Sequence, residues 1–325
     1  MSRFVNTTAN FGKGIICDDM KIRDFDFVKL KKINKLPVAT YMRHMNTKIR
    51  IKKLDKNRYV DLRTGEIIFS KHIGSRIEGL NEVKIAMSNV RDLLNHNFNG
   101  AINEKWIILT YRFIDGEPMT DTVKLYKDVV KFIKTARRKL GHFEYVAIPE
   151  PQGTGNWHMN IAAKFDKNPG KIEPKELEKM CWDHGFCYVK RIYGKVGLGN
   201  YLSVYLTDME LEEFDNFIAR SKAKNEDLNE CKIIEKMVEG KSKKFVKGAR
   251  LFFYRPGLRM FRKSKGIVFP EIDQGGLAEV KKRNGLSGKS PTYGSITSIF
   301  EDSSSECVNE IKRNYFDLSV RGSVK

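Results

Sequence analysis

The sequence predicts an α+β fold: a mainly antiparallel sheet with helices packed on one face. Three stretches carry that reading. Lys105–Phe113, KWIILTYRF, is a short apolar run of strand-forming residues and belongs in the sheet centre. Tyr145–Phe165, YVAIPEPQGTGNWHMNIAAKF, reads as two strands joined by the turn residues Pro-Gln-Gly-Thr-Gly. Between them, Asp121–Leu140 is the clearest helix. Thr120 or Asp121 is its N-cap, Gly141 its stop, and Val123, Tyr126, Val130, Ile133 and Leu140 are its apolar positions.

Residues 1–75 form a basic, partly β region in which TKIRIKKL and NRYVDLRTGEIIFS read as strands, the second pair turning at Thr64-Gly65. Such a region serves either as a solvated accessory layer or as a DNA contact. Residues 76–270 hold the central domain. There Val83, Ile85, Ala86, Val90, Leu93 and Leu94 recur at helical spacing, Pro174 opens a helix that runs to Gly185, and FCYVKRIYG is a further strand. Gly199–Met209, GNYLSVYLTDM, reads as a helix whose stripe of Leu198, Leu202, Leu206 and Met209 packs on the sheet, with Tyr201 and Tyr205 one turn apart on its flank. Phe214–Gly240 is charged and reads as helical. The next stretch, KKFVKGARLFFYRPGLRMFRKSKGI, interleaves aromatics with cations including Arg255 and Arg259. That mixture suits bases stacked on rings and phosphates on cations, or a strand pair with an exposed basic face. Residues 271–325, rich in Ser, Gly, Lys and Glu, read as an irregular or disordered tail.

Lys and Arg total 60 against 40 Asp and Glu, a net +20, which points to a polyanionic partner with nucleic acid first. No run approaches the ~18 apolar residues of a spanning helix, and no basic amphipathic stretch has a consistently apolar second face, so no membrane partner is expected. The first residues lack an apolar signal region, which predicts a cytoplasmic protein. Cys17, Cys181, Cys187, Cys231 and Cys307 are too scattered for a disulfide framework, and the gap in C-W-D-H-G-F-C falls outside the usual zinc pairings. Gly285–Ser290, GLSGKS, lacks the first glycine of a phosphate loop because Arg283 stands there, so no ATPase is predicted.

Candidate chemistry sits in the hairpin. A turn centred near Thr154 places Glu150 opposite His158, with Asn160 on the same face and Trp157, Met159 and Ile161 pointing away. One imidazole, one carboxylate and one amide oxygen then converge on an open site suited to Mn²⁺ or Mg²⁺. A lone strand histidine fits a surface or core position as well, and a one-residue slip would move Glu150 to the other face.

The run E-x-Q-x-x-G-x-W-H-x-N, Glu150–Asn160, resembles the second motif of the HUH endonucleases, the rolling-circle replication initiators of plasmids and single-stranded DNA phages. In that motif His-hydrophobic-His and a nearby carboxylate hold the metal; here Asn160 stands in the second His position. KWIILTYRF resembles the first motif. Tyr-x-x-x-Tyr, Tyr201 and Tyr205, resembles the third, where tyrosine is the nucleophile. Roughly Arg76–Pro270 is similar to Rep proteins of plasmids and integrative elements of Gram-positive bacteria. The resemblance implies a ferredoxin/RRM-like palm, metal held by His158, Glu150 and Asn160, and strand nicking at a single-stranded or extruded DNA origin. Tyr205 would be the nucleophile and Tyr201 an alternate or auxiliary. Relatives carry Lys beside the tyrosines where this chain has Val204 and Asp208; Lys190, Arg191 or Lys195 would substitute. Arg137 and Arg138 close the long helix, where they complement its dipole or track a phosphate backbone. A separate host helicase would unwind. A conjugative relaxase, or a nucleic-acid-binding module without catalysis, are the competing readings.

Overall fold

The computed structural model describes residues 4–11, 21–44, 51–55, 57–69, 80–192, 208–220, 233–238, 241–255, 257–301 and 307–318. In chain order its elements are β1 (Phe4–Phe11), β2 (Phe27–Lys31), β3 (Val38–Met42), β4 (Ile51–Lys53), β5 (Arg58–Asp61), β6 (Ile67–Phe69), α1 (Leu80–Asn97), β7 (Glu104–Tyr111), α2 (Thr122–Leu140), β8 (Phe143–Pro151) and β9 (Trp157–Phe165). They continue as α3 (Pro174–Cys181), β10 (Gly185–Arg191), β11 (Met209–Glu210), α4 (Leu211–Arg220), β12 (Ile233–Val238), β13 (Lys241–Val246), β14 (Arg262–Lys263), β15 (Ile272–Gly276), α5 (Leu277–Arg283), β16 (Tyr293–Glu301) and β17 (Cys307–Tyr315). The chain divides into two units, Met1–His72 with Pro270–Lys325, and Ile73–Phe269.

The second unit is built on an antiparallel sheet in the order β10-β7-β9-β8-β14. KWIILTYRF and both hairpin strands are thus its three inner strands. Alternation sends Leu109, Met159 and Ile161 to one face, where all three are fully buried. Helix α2 covers that face: the Tyr111 hydroxyl donates to Asp128 on α2 at 2.9 Å, and the Arg137 guanidinium lies over the rings of Phe143 and Tyr145 at 5.4 and 5.6 Å.

The ends of α2 are where the sequence puts them. The Asp121 carboxylate accepts from Val123 N (2.8 Å) and Lys124 N (3.2 Å), and Gly141 N closes on Arg137 O. Its apolar stripe is different. Leu125, Val129, Phe132 and Ala136, at i, i+4, i+7 and i+11, face the sheet, whereas Val123 and Val130 are 63% and 42% exposed. The helix is rotated because Phe132 packs edge-on against Trp182, 6.2 Å between centroids, and this contact with a distant segment sets the buried face.

Two further expectations change. Helix α3 ends at Cys181, not Gly185; Gly185 instead opens β10, and a Cβ there would stand 2.0 Å from Thr110 O. Only glycine lets β10 approach β7 so closely. Of Phe214–Gly240, only the start is helical, as part of α4; β12 then forms a hairpin with β13, and β11 joins β13's other edge.

In the first unit, β1-β16-β17-β3-β2-β15 make a six-stranded sheet, and β4-β5-β6 a small one turning through Gly65 at φ 75°. Val28, Leu30 and Ala39 form a core with Leu277, Val280 and Phe316. Residues 272–315, expected as an irregular tail, therefore supply three strands and a helix. Their partners β1, β2 and β3 lie more than two hundred positions earlier, so local composition carried no sign of the pairing.

Candidate functional site

The β8–β9 turn sets the register on which the site depends. Gln152 N donates to Asn156 O and Gly155 N to Gln152 O, both at 2.8 Å. Asn156 then locks the turn to its surroundings: its Nδ2 donates to Tyr111 O at 2.8 Å and its Oδ1 accepts from Met119 N at 3.1 Å. Glu150 consequently lies opposite His158, which lies opposite Thr110; one rung further in, Ile148, Asn160 and Ile108 align. His158, Glu150 and Asn160 share the face turned away from α2.

Their electrostatics are those of a partly dehydrated site. Asn160 Nδ2 donates to Glu150 Oε2 at 2.6 Å, which leaves the amide oxygen as its remaining ligating atom. Burial pushes the Glu150 carboxyl up, opposed by the neighbouring Arg250 charge. Burial first, and Arg250 second, push the His158 imidazole down to about 4, so its ring is neutral with a free lone pair at physiological pH. An open cleft of about 660 Å³ runs from His158 past Thr110, Gln152 and Glu213 to Phe186.

Arg250 is the residue that sequence reasoning missed. It lies in a 3-10 turn at Ala249–Phe253 after β13 and is only 3% exposed. Its guanidinium makes a two-pronged pair with Glu213 on α4 (Nη1–Oε1 3.2 Å, Nη2–Oε2 2.7 Å), donates through Nε to Asp208 O at 3.0 Å and through Nη1 to Pro151 O, and stands 3.6 Å from Glu150 Oε1. A buried fork bound on both prongs is a fixed charge with fixed geometry. Glu213 is held in turn by Gly153 N at 2.6 Å, and Asp208, the position where relatives carry Lys, caps Gly248 N at 2.9 Å. Arg250 thus ties the hairpin turn, α4 and the β13 end to one point. The available signal was an Arg inside the apolar run Ala249–Phe253, a placement that requires a buried carboxylate.

The other candidates separate. Tyr201, Tyr205 and Lys195 lie outside the described residues, as does the helix read over Gly199–Met209 except for Asp208 and Met209, the latter in β11. Arg137 belongs to the covered face, donating to Phe143 O at 2.6 and 3.1 Å; Arg138 is exposed beside Thr135. Lys190 and Arg191 sit at the far end of β10, Arg191 donating to Gly100 O at 3.2 Å. Arg255 and Arg259 are exposed, and the Arg259 carbonyl accepts from Tyr126.

Donor chemistry provides the test of a metal. A neutral imidazole, a carboxylate and an amide oxygen on one face fit a hard divalent cation with open positions, while Arg250 competes for Glu150. Among the described residues no group of three His, Cys, Asp or Glu side chains is placed to hold a metal, so the amide oxygen is needed to complete a protein triad.

Residues 104–210, from β7 to β11, match the family model described as Replication-associated protein, ORF2 type. No curated protein and no solved structure matches the chain. No helix among the described residues is long and apolar enough to cross a membrane.

Proposed function

We propose that this chain initiates rolling-circle replication by nicking one DNA strand at an origin. One coincidence carries the reading: the face presenting His158, Glu150 and Asn160 lies inside the 104–210 segment similar to replication-associated proteins, and that segment also holds Tyr201 and Tyr205. Mn²⁺ or Mg²⁺ bound at that face would supply Lewis-acid polarisation of the scissile phosphate. His158 offers its neutral ring nitrogen, Glu150 its negative charge, and Asn160 orients Glu150 through the 2.6 Å hydrogen bond. Arg250 fixes Glu150 and favours its ionised form against burial. The Tyr205 oxygen attacks phosphorus as its proton leaves to water; the new O–P bond forms and the P–O3′ bond breaks. The result is a 5′-phosphotyrosine and, after protonation, a free 3′-hydroxyl for a polymerase to extend. Tyrosine's unperturbed pKa of ~10 makes help with that proton necessary. Unwinding falls to a separate helicase.

The test is an adduct assay. Purified protein with Mn²⁺ and labelled single-stranded oligonucleotides from its native element is expected to yield an SDS-stable protein–DNA adduct, lost in Tyr205→Phe and in EDTA. Loss only in Tyr201→Phe would move the nucleophile, and no adduct with any divalent metal would remove the nickase reading. A second reading, a DNA-binding module without catalysis, is favoured by one observation: a guanidinium already neutralises Glu150 from 3.6 Å.

A further inference from the structure

On the edge strand β10, Phe186 and Tyr188 are 61% and 56% exposed. Single apolar side chains on a surface are ordinary, but these two are neighbours on one face with a defined place in the sheet. Phe186 lies opposite Thr110, itself opposite His158; Tyr188 lies opposite Ile108, itself opposite Asn160. Each ring therefore begins a rung that ends, two strands or about 10 Å away, at a proposed metal-binding side chain. Phe186 also lines the cleft that holds His158, so the rings continue that cleft outward along β10. Lys190 follows on the same face, its ammonium 5.9 Å from the Tyr188 ring centroid. Among the described residues no strand pairs with the outer edge of β10.

Spacing and charge define what fits. Residues two apart on a strand are about 7 Å apart, roughly twice the 3.4 Å rise per nucleotide of a duplex strand. A paired, stacked duplex cannot lay successive bases on both rings; a stretched single strand can, with Lys190 on its phosphate. Stacking on aromatic rings accepts any base, while nearby cations hold the backbone.

We propose that Phe186 and Tyr188 form a stacking platform for two successive bases of single-stranded DNA, which delivers the strand to the His158 cleft. This deepens the nickase reading and rests on it for the identity of the nucleic acid. It assigns a task to β10: the site itself is on the inner strands, and the edge strand selects unpaired substrate.

Fluorescence anisotropy of the full chain in EDTA, with a labelled mixed-sequence single strand, tests the platform without cleavage. Phe186→Ala and Tyr188→Ala are each expected to weaken binding about tenfold, and the pair more than either. Phe186→Tyr should retain affinity. The same strand made abasic should bind weakly and be indifferent to all three substitutions, and so should a blunt duplex. Both rings are exposed, so thermal melting should be unchanged, which separates lost contact from lost fold. Equal losses on abasic and normal strands, or no loss, would overturn the platform. The two readings fail separately. Ring-dependent binding without an adduct leaves the platform and removes the nickase; adduct formation with full affinity in the double variant does the reverse.

Discussion

Leu109 and Thr110 are neighbours in β7, yet they face different worlds. Leu109 is fully buried with Met159 and Ile161 beneath α2, whereas Thr110 shares a rung with His158 and lines the cleft. The covered face is apolar, closed by a helix and indifferent to chemistry. The other, at this end of the sheet, is polar, and its buried cation, Arg250, is held by four groups from distant segments. Alternation along a strand lets the same nine or so residues per strand serve both ends, so core and site cannot be altered independently without respecting a period of two.

Breaking the polar face at its centre should have the largest effect. Arg250→Leu strands Glu213 and Glu150 as mostly buried, unpaired carboxylates, and about 3–5 kcal/mol of stability should be lost in urea denaturation. Adding Glu213→Gln should recover part of it; if Arg250→Leu alone is neutral, the pair is not what holds the hairpin to α4. The contrast within β7 comes next. Leu109→Ala should cost about 2–5 kcal/mol through a cavity, while Thr110→Ser should cost under about 0.5 kcal/mol and alter cleavage or DNA binding instead. Equal costs would mean that the cleft face is packed like a core. The smallest effect is one of pH. The His158 pKa is about 4 when folded against 6.5 as its ordinary value, so between those values the unfolded chain binds more protons. Stability is complete above pH 6.5 and falls as pH drops toward 4. His158→Gln should remove a share of that fall, of order 1 kcal/mol after allowing for partial exposure.

What could be read from the sequence follows the range of the interaction responsible. The hairpin was legible because its register is set by one turn within it, so Glu150 and His158 could be paired on paper. The ends of α2 were legible because Asp121 and Gly141 act on their own neighbours. Its buried face was not, since Val123 and Val130 are as apolar as Val129 and only Trp182 and the sheet choose between them. Arg250 was passed over as one more surface cation because its partners Asp208, Glu213 and Pro151 lie 42, 37 and 99 positions away. β16 and β17 were unreadable for the same reason.

The pairing of β1 with β16, Phe4 against Glu301 in register, also fixes an order of events during synthesis. A strand made among the first residues waits for a partner made almost three hundred residues later. At ~5–20 residues per second that delay is tens of seconds, during which β7–β10 and their helices are already complete and free to fold. The sheet of Met1–His72 and Pro270–Lys325 is then the last part of the protein to exist, and β1 spends that interval as an unpaired strand, the state in which edge-to-edge association is most costly to a cell.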